Sequence, residues 1–149
     1  IRLVDWWEHG LTLETFDDNY AKLRVDEIYP EFKDKVKLPL AEVLEKHKNN
    51  FFNTDLDADL DISTKTGYNG IDLAFKKFMS SLNDPDFVIK RGNVRKEITT
   101  LVRELNKIDK KYECIYTLER ETIFEMLADI FFSLGMISLL NAADSLRTW

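Results

Sequence analysis

From Ile123 onward, apolar side chains fall on nearly every side of the chain. They are Ile123, Phe124, Met126, Leu127, Ile130, Phe131, Phe132, Leu134, Met136, Ile137, Leu139, Leu140, Leu146 and Trp149. No proline interrupts the run, and Ala128, Ala142 and Ala143 favour helix. Period-two alternation is absent, so a half-buried strand fits poorly. A helix that is apolar all round is either buried on most faces or set in a membrane. A membrane span needs roughly 20 apolar residues with few charges, and Glu121, Glu125, Asp129 and Asp144 interrupt this one. The run is therefore predicted to be a central core helix with Thr117 as its N-cap. Glu121, Glu125 and Asp129 recur every four residues and give it one wet stripe near the start, which suits the helix dipole. Gly135 is the weak point, costing about 1 kcal/mol relative to Ala in a helix interior. It is read as a site of close helix packing or a mild kink, with a hinge as the alternative.

Upstream, the pattern predicts several shorter helices. Residues 1–9 read as a short helix or the tail of one, stopped by Gly10. Thr12 caps a second helix over about 13–29, ended by Pro30. Pro39 suits the first position of another helix running to about Lys48, with Leu40, Val43 and Leu44 facing inward. Over 51–69 the periodicity disappears in FFNTDLDADLDISTKTGYN, predicted as a long loop with short extended pieces, and loops of that length are often functional. Helix is expected again over 70–82, then a turn at Asn83, Asp84 and Pro85. Residues 87–90 read as a short β-rich piece, able to pair with 112–116 if those do not extend the helix before them. Asn93 is expected to cap a helix from Val94 to about Tyr112, with Val94, Ile98, Leu101, Val102, Leu105 and Ile108 as its apolar stripe.

The fold class expected is all-α: a single-domain helical bundle of five to seven helices around the buried C-terminal helix, with at most a minor β element. The 149 residues suffice for one domain with a real core. Opening on Ile1, the sequence is compatible with a segment excised from a longer chain. Hydrophobic residues at 44% and charged residues at 32% exclude a disordered or membranous chain by composition. Cys114 is the only cysteine, so neither an internal disulfide nor a cysteine-based zinc site can close. With no leader apparent, a cytoplasmic setting is expected. No membrane partner and no cofactor is expected.

Charge is segregated along the chain. The formal net charge of −6 argues against a nucleic-acid-binding surface over the whole molecule. Residues 1–62 carry fifteen acidic against eight basic side chains, a balance of −7, whereas 76–111 carry ten basic against five acidic, a balance of +5. At about 100° per residue, Lys96, Arg103, Lys107 and Lys110 fall in one sector opposite the apolar stripe of their helix. They form either a basic ridge for phosphates or an acidic partner, or the solvated back of an amphipathic helix. No aromatic residue interleaves with them, so single-strand stacking has little support.

Other candidates are sparser. Asp55, Asp57, Asp59 and Asp61 alternate like the start of a calcium loop, but the sixth position is Leu60 and the twelfth Thr66. Alternation with Leu56, Ala58, Leu60 and Ile62 equally describes an edge strand. His47 reads as a surface residue suited to a helix C-terminus. Trp6 and Trp7 cannot easily both be buried on one helix, and an exposed Trp is a frequent interface anchor. Arg2 and His9 lie seven apart and share a helix face. That arrangement resembles the Arg-x4–6-His pattern of HEPN-type ribonucleases, although Leu3 stands where that family usually carries a polar residue. The resemblance implies RNA cleavage at a dimer seam by Arg2 and His9.

No Gly-rich phosphate loop, GxSxG elbow or His-rich metal motif occurs. The leading expectation is a non-enzymatic protein-interaction module of adaptor, regulatory or immunity type. It would hold a protein partner through helix faces, the acidic N-terminal half and the 51–69 loop, with Lys96, Arg103, Lys107, Lys110, Trp6 and Trp7 as candidate partner or phosphate contacts. The alternatives are an HEPN-like dimeric ribonuclease and nucleic-acid binding through the basic ridge. Homo-oligomerisation is left open.

Overall fold

The computed structural model describes residues 38–48 and 61–149. The expected elements over 1–37 and 49–60 lie outside the described residues. Within them the chain forms five helices: α1 (Leu40–His47), α2 (Ile62–Leu82), α3 (Arg91–Tyr112), α4 (Thr117–Leu134) and α5 (Leu139–Leu146). No strand occurs among the described residues. The all-α bundle expected from the pattern is what forms.

Helix α1 starts where Pro39 holds an extended backbone and its carbonyl accepts from the N–H groups of Glu42 and Val43. Glu42 in the first turn and Lys46 and His47 in the last complement the dipole. Val43 and Leu44 are buried, Leu40 packs at the edge of the core, and the helix lies on α4. Ser133 of α4 donates to the Leu38 carbonyl at 2.7 Å, tying down the approach to α1.

Helix α2 begins eight residues earlier than the pattern predicted, so 62–69 are helical and not part of a long loop. The start signal is Asp61, whose carboxylate accepts from the Thr64 N–H at 2.7 Å. The edge-strand reading of this stretch fails at Ile62 for the same reason. Sparse apolar content had hidden the first two turns. They pack through glycines: a Cβ at Gly67 would lie 2.5 Å from the Cys114 sulfur, and one at Gly70 would lie 3.2 Å from the Ile108 Cδ1. Further along, Ile71, Ala74, Phe75, Phe78, Met79 and Leu82 are buried, and the Phe75 and Phe78 rings meet edge-on at 6.5 Å.

The α2–α3 pair is the most extensive in the bundle. Its connection is a turn, not a β piece: Asp84 accepts from the Asp86 N–H, and Phe87 N–H bonds back to the Asp84 carbonyl. Asn93 is not the cap of α3. The helix starts at Arg91, and the Asn93 amide donates instead to the Val88 carbonyl at 2.9 Å, bracing the incoming loop. The predicted apolar stripe of α3 is buried in full. The helix ends as Glu113 turns left-handed at φ 48°, and Asp109 then accepts from the Ile115 N–H at 2.9 Å. Residues 113–116 neither extend α3 nor form a strand, and they carry Cys114 and Ile115 into the core.

Thr117 is the first residue of α4, and Tyr116 takes the capping position. Glu119 serves twice there: one carboxylate oxygen accepts from the Tyr116 N–H at 2.9 Å, the other from the Tyr68 hydroxyl of α2 at 3.2 Å. Ile123, Phe124, Met126, Leu127, Ala128, Ile130 and Phe131 are buried, as expected of a core helix.

The single C-terminal helix, however, is two. Gly135 adopts φ 70°, its N–H reaches the Phe132 carbonyl, and Met136 N–H reaches the Phe131 carbonyl at 2.8 Å. This paired closure is a Schellman stop, where Gly supplies the left-handed residue at no steric cost. Ser138, fully buried, accepts from Arg91 at 2.7 Å, and α5 follows against α3 and α4. Beyond α5, the Asn106 amide donates to the Leu146 carbonyl and accepts from the Thr148 N–H. Trp149 then stacks at a tilt on Phe124, with Arg147 over both rings.

Candidate functional site

The sequence-predicted cations are brought together. Lys96, Arg103, Lys107 and Lys110 are all exposed on the face of α3 opposite its buried stripe. From Lys96 to Lys110 the row extends about 21 Å at the helical rise. None of the four forms an ion pair with a described residue. Three lysines on the neighbouring helices are paired: Lys46 with Asp129 at 3.2 Å, Lys48 with Glu45 at 2.5 Å and Lys76 with Asp72 at 2.8 Å. The last two flank the shallow cleft between α1 and α2, where their charge is met internally. Trp6, Trp7, Arg2 and His9 lie outside the described residues, as do Asp55, Asp57 and Asp59.

A second surface lies around the side of α3. A groove of about 320 Å³ runs between α2 and α3. Its floor is apolar, formed by the edges of Ala74, Phe78, Leu101 and Ile108. On the α2 rim stand Leu73, 66% exposed, and Lys77. Glu97 and Glu104 stand on the α3 rim with Thr100 between them. Sequence reasoning missed this groove, though a signal was present. On a helical wheel centred on the buried Phe75, Leu73 falls about 160° away, an apolar residue pointing out of the core.

His47 is not a free surface residue. Its Nε2 lies 3.0 Å from Asp129 of α4, and Lys46 donates to the same carboxylate oxygen at 3.2 Å. Asp129, expected on the wet stripe with Glu121 and Glu125, is instead mostly covered by this α1 pair. The arrangement joins α1 to α4.

Cys114 is buried, and burial pushes its thiol up to about 11, with Asp109 and then Glu119 adding negative charge nearby. A thiol so held is a weak nucleophile at neutral pH. Asp61 is spent on capping α2, and the Thr64 hydrogen bond holds its carboxyl below the usual carboxylate range. Among the described residues no group of three or more His, Cys, Asp or Glu side chains is placed to hold a metal ion. None of the described helices is long and apolar enough to cross a membrane. Comparison with protein-family models, curated proteins and solved structures returns no match for the chain.

Proposed function

We propose that this chain is a protein-interaction module that receives an acidic protein surface on the α3 ridge. The observation that carries the reading is the row Lys96, Arg103, Lys107 and Lys110, exposed and without a described counter-ion, on a chain whose net charge is −6. Four cations on one stripe repel each other, and an acidic partner relieves that repulsion. The local inversion of sign also steers such a partner to this face and away from the rest of the molecule. The ridge stands on a helix whose other side is locked into the core, so its spacing is preorganised before binding.

The test compares the unaltered chain with an Arg103→Glu, Lys107→Glu double variant as baits in extract of the source cells, with and without nuclease. The reading expects an acidic protein retained by the first bait and lost from the second, with retention falling as salt is raised. That protein, once purified, should bind the unaltered chain at least about tenfold more tightly than the variant. If the retained species is instead nucleic acid, removed by nuclease and equally dependent on the ridge, the protein-partner reading is replaced by nucleic-acid binding.

A further inference from the structure

The groove between α2 and α3 is a separate surface from the ridge. On the α3 wheel, Glu97 and Glu104 lie about 60–140° around from the four cations, so an occupant of the groove lies beside the cationic row, with Lys107 at the shared edge. We propose that the groove seats one amphipathic helix of a protein partner, with basic side chains toward Glu97 and Glu104 and an acidic one toward Lys77.

The shape fits that occupant. The groove is walled by two long helices, from Gly70 to Ser81 on α2 and from Glu97 to Ile108 on α3, so its walls suit a rod. Its apolar floor and the exposed Leu73 offer burial to side chains recurring at i, i+3 or i+4, and i+7. Burial there would also cover an apolar side chain that water now surrounds.

The charge fits it more narrowly. Glu97 and Glu104 are one heptad apart, about 10.5 Å along α3. Basic residues spaced seven apart on an incoming helix meet both, in the manner of flanking pairs beside a coiled-coil seam. Neither glutamate has an ion-pair partner among the described residues, and neither does Lys77 across the channel. A second copy of this chain, turned to present the same face, brings one Lys77 against two carboxylates. One glutamate of each copy then stays uncompensated, and so the charge pattern favours a different protein.

The test uses the full chain and two labelled synthetic helical peptides of one length and composition. Both carry leucines at seam spacing. The matched peptide has arginines on the edge that meets α3 and glutamates on the edge that meets α2; the swapped peptide exchanges them. Fluorescence anisotropy at physiological salt should show saturable binding of the matched peptide, at least about tenfold tighter than the swapped one. Leu73→Asp, at an exposed position, should weaken binding about tenfold while leaving the helical signal intact. Glu97→Lys with Glu104→Lys should invert the preference between peptides. Lys110→Glu, about 9 Å along α3 from Glu104 and about 120° around the helix from it, should change affinity by less than about twofold because screening is effective at that distance, and this separates failure here from failure of the ridge. The inference is overturned by equal binding of the two peptides or by no saturation of the matched one. A dimer of the chain that dissociates on Leu73→Asp overturns it as well.

Discussion

Gly67 on α2 lies so close to Cys114 that a methyl group on its Cα would sit 2.5 Å from the sulfur. The opposing atoms belong to a buried side chain in a tight post-helical turn, with little room to retreat. Gly67→Ala gains about 1 kcal/mol of helix propensity and meets an overpacking penalty of about 1–3 kcal/mol. Net destabilisation of up to about 2 kcal/mol is expected in urea unfolding. Adding Cys114→Ala removes the nearest atom, so the double variant should be more stable than the two single effects predict.

Cys114 also predicts a pH dependence. The unfolded chain releases the thiol proton near its ordinary 9.0, and the folded chain holds it to about 11. Between those values the folded state binds more protons, so the thiol's contribution is intact below pH 9 and lost as pH rises toward 11. Cys114→Ala should therefore lose less stability than the unaltered chain over that interval, by on the order of 1–2 kcal/mol. At pH 8 a thiol reagent should label the native chain only at the rate of opening.

The junction of α1 with α4 rests on Asp129. Its carboxylate is mostly covered and takes hydrogen bonds from both Lys46 and His47. Asp129→Ala should cost about 1–3 kcal/mol and selectively speed amide exchange in α1. Lys46, with its side chain 61% exposed, should matter little, within about 0.5 kcal/mol on substitution by Ala. Equal effects at Lys46 and Asp129 would contradict this division.

At Gly135 the left-handed backbone sets the stop between α4 and α5. Gly135→Ala should destabilise by about 1–2 kcal/mol. Gly135→Asn should lose less, since Asn tolerates that conformation better. Thermal unfolding of the three proteins checks the order.

The stripe of α3 and the burial of the Ile123 run were legible because each is long and strongly patterned. The exposed cations followed from the same wheel. What escaped had weaker periodicity. The opening of α2 is polar and held by Asp61 and two glycines, features that read equally well as loop. The stop at Gly135 was visible as a glycine, but only the paired closure onto Phe131 and Phe132 distinguishes a stop from a kink. The groove depends on how α2 lies against α3, which no single-helix pattern encodes.

Gly67 and Gly70 let α2 approach its neighbours closely, one at Cys114 and one at Ile108. Two such close approaches, a single turn apart, fix how α2 lies against α3 and the segment that follows it. The width of the channel and the gap from Lys77 to Glu104 are thus dictated by residues that have no charge and barely any side chain. A visitor to the channel thus meets walls whose spacing two side-chain-poor positions have set.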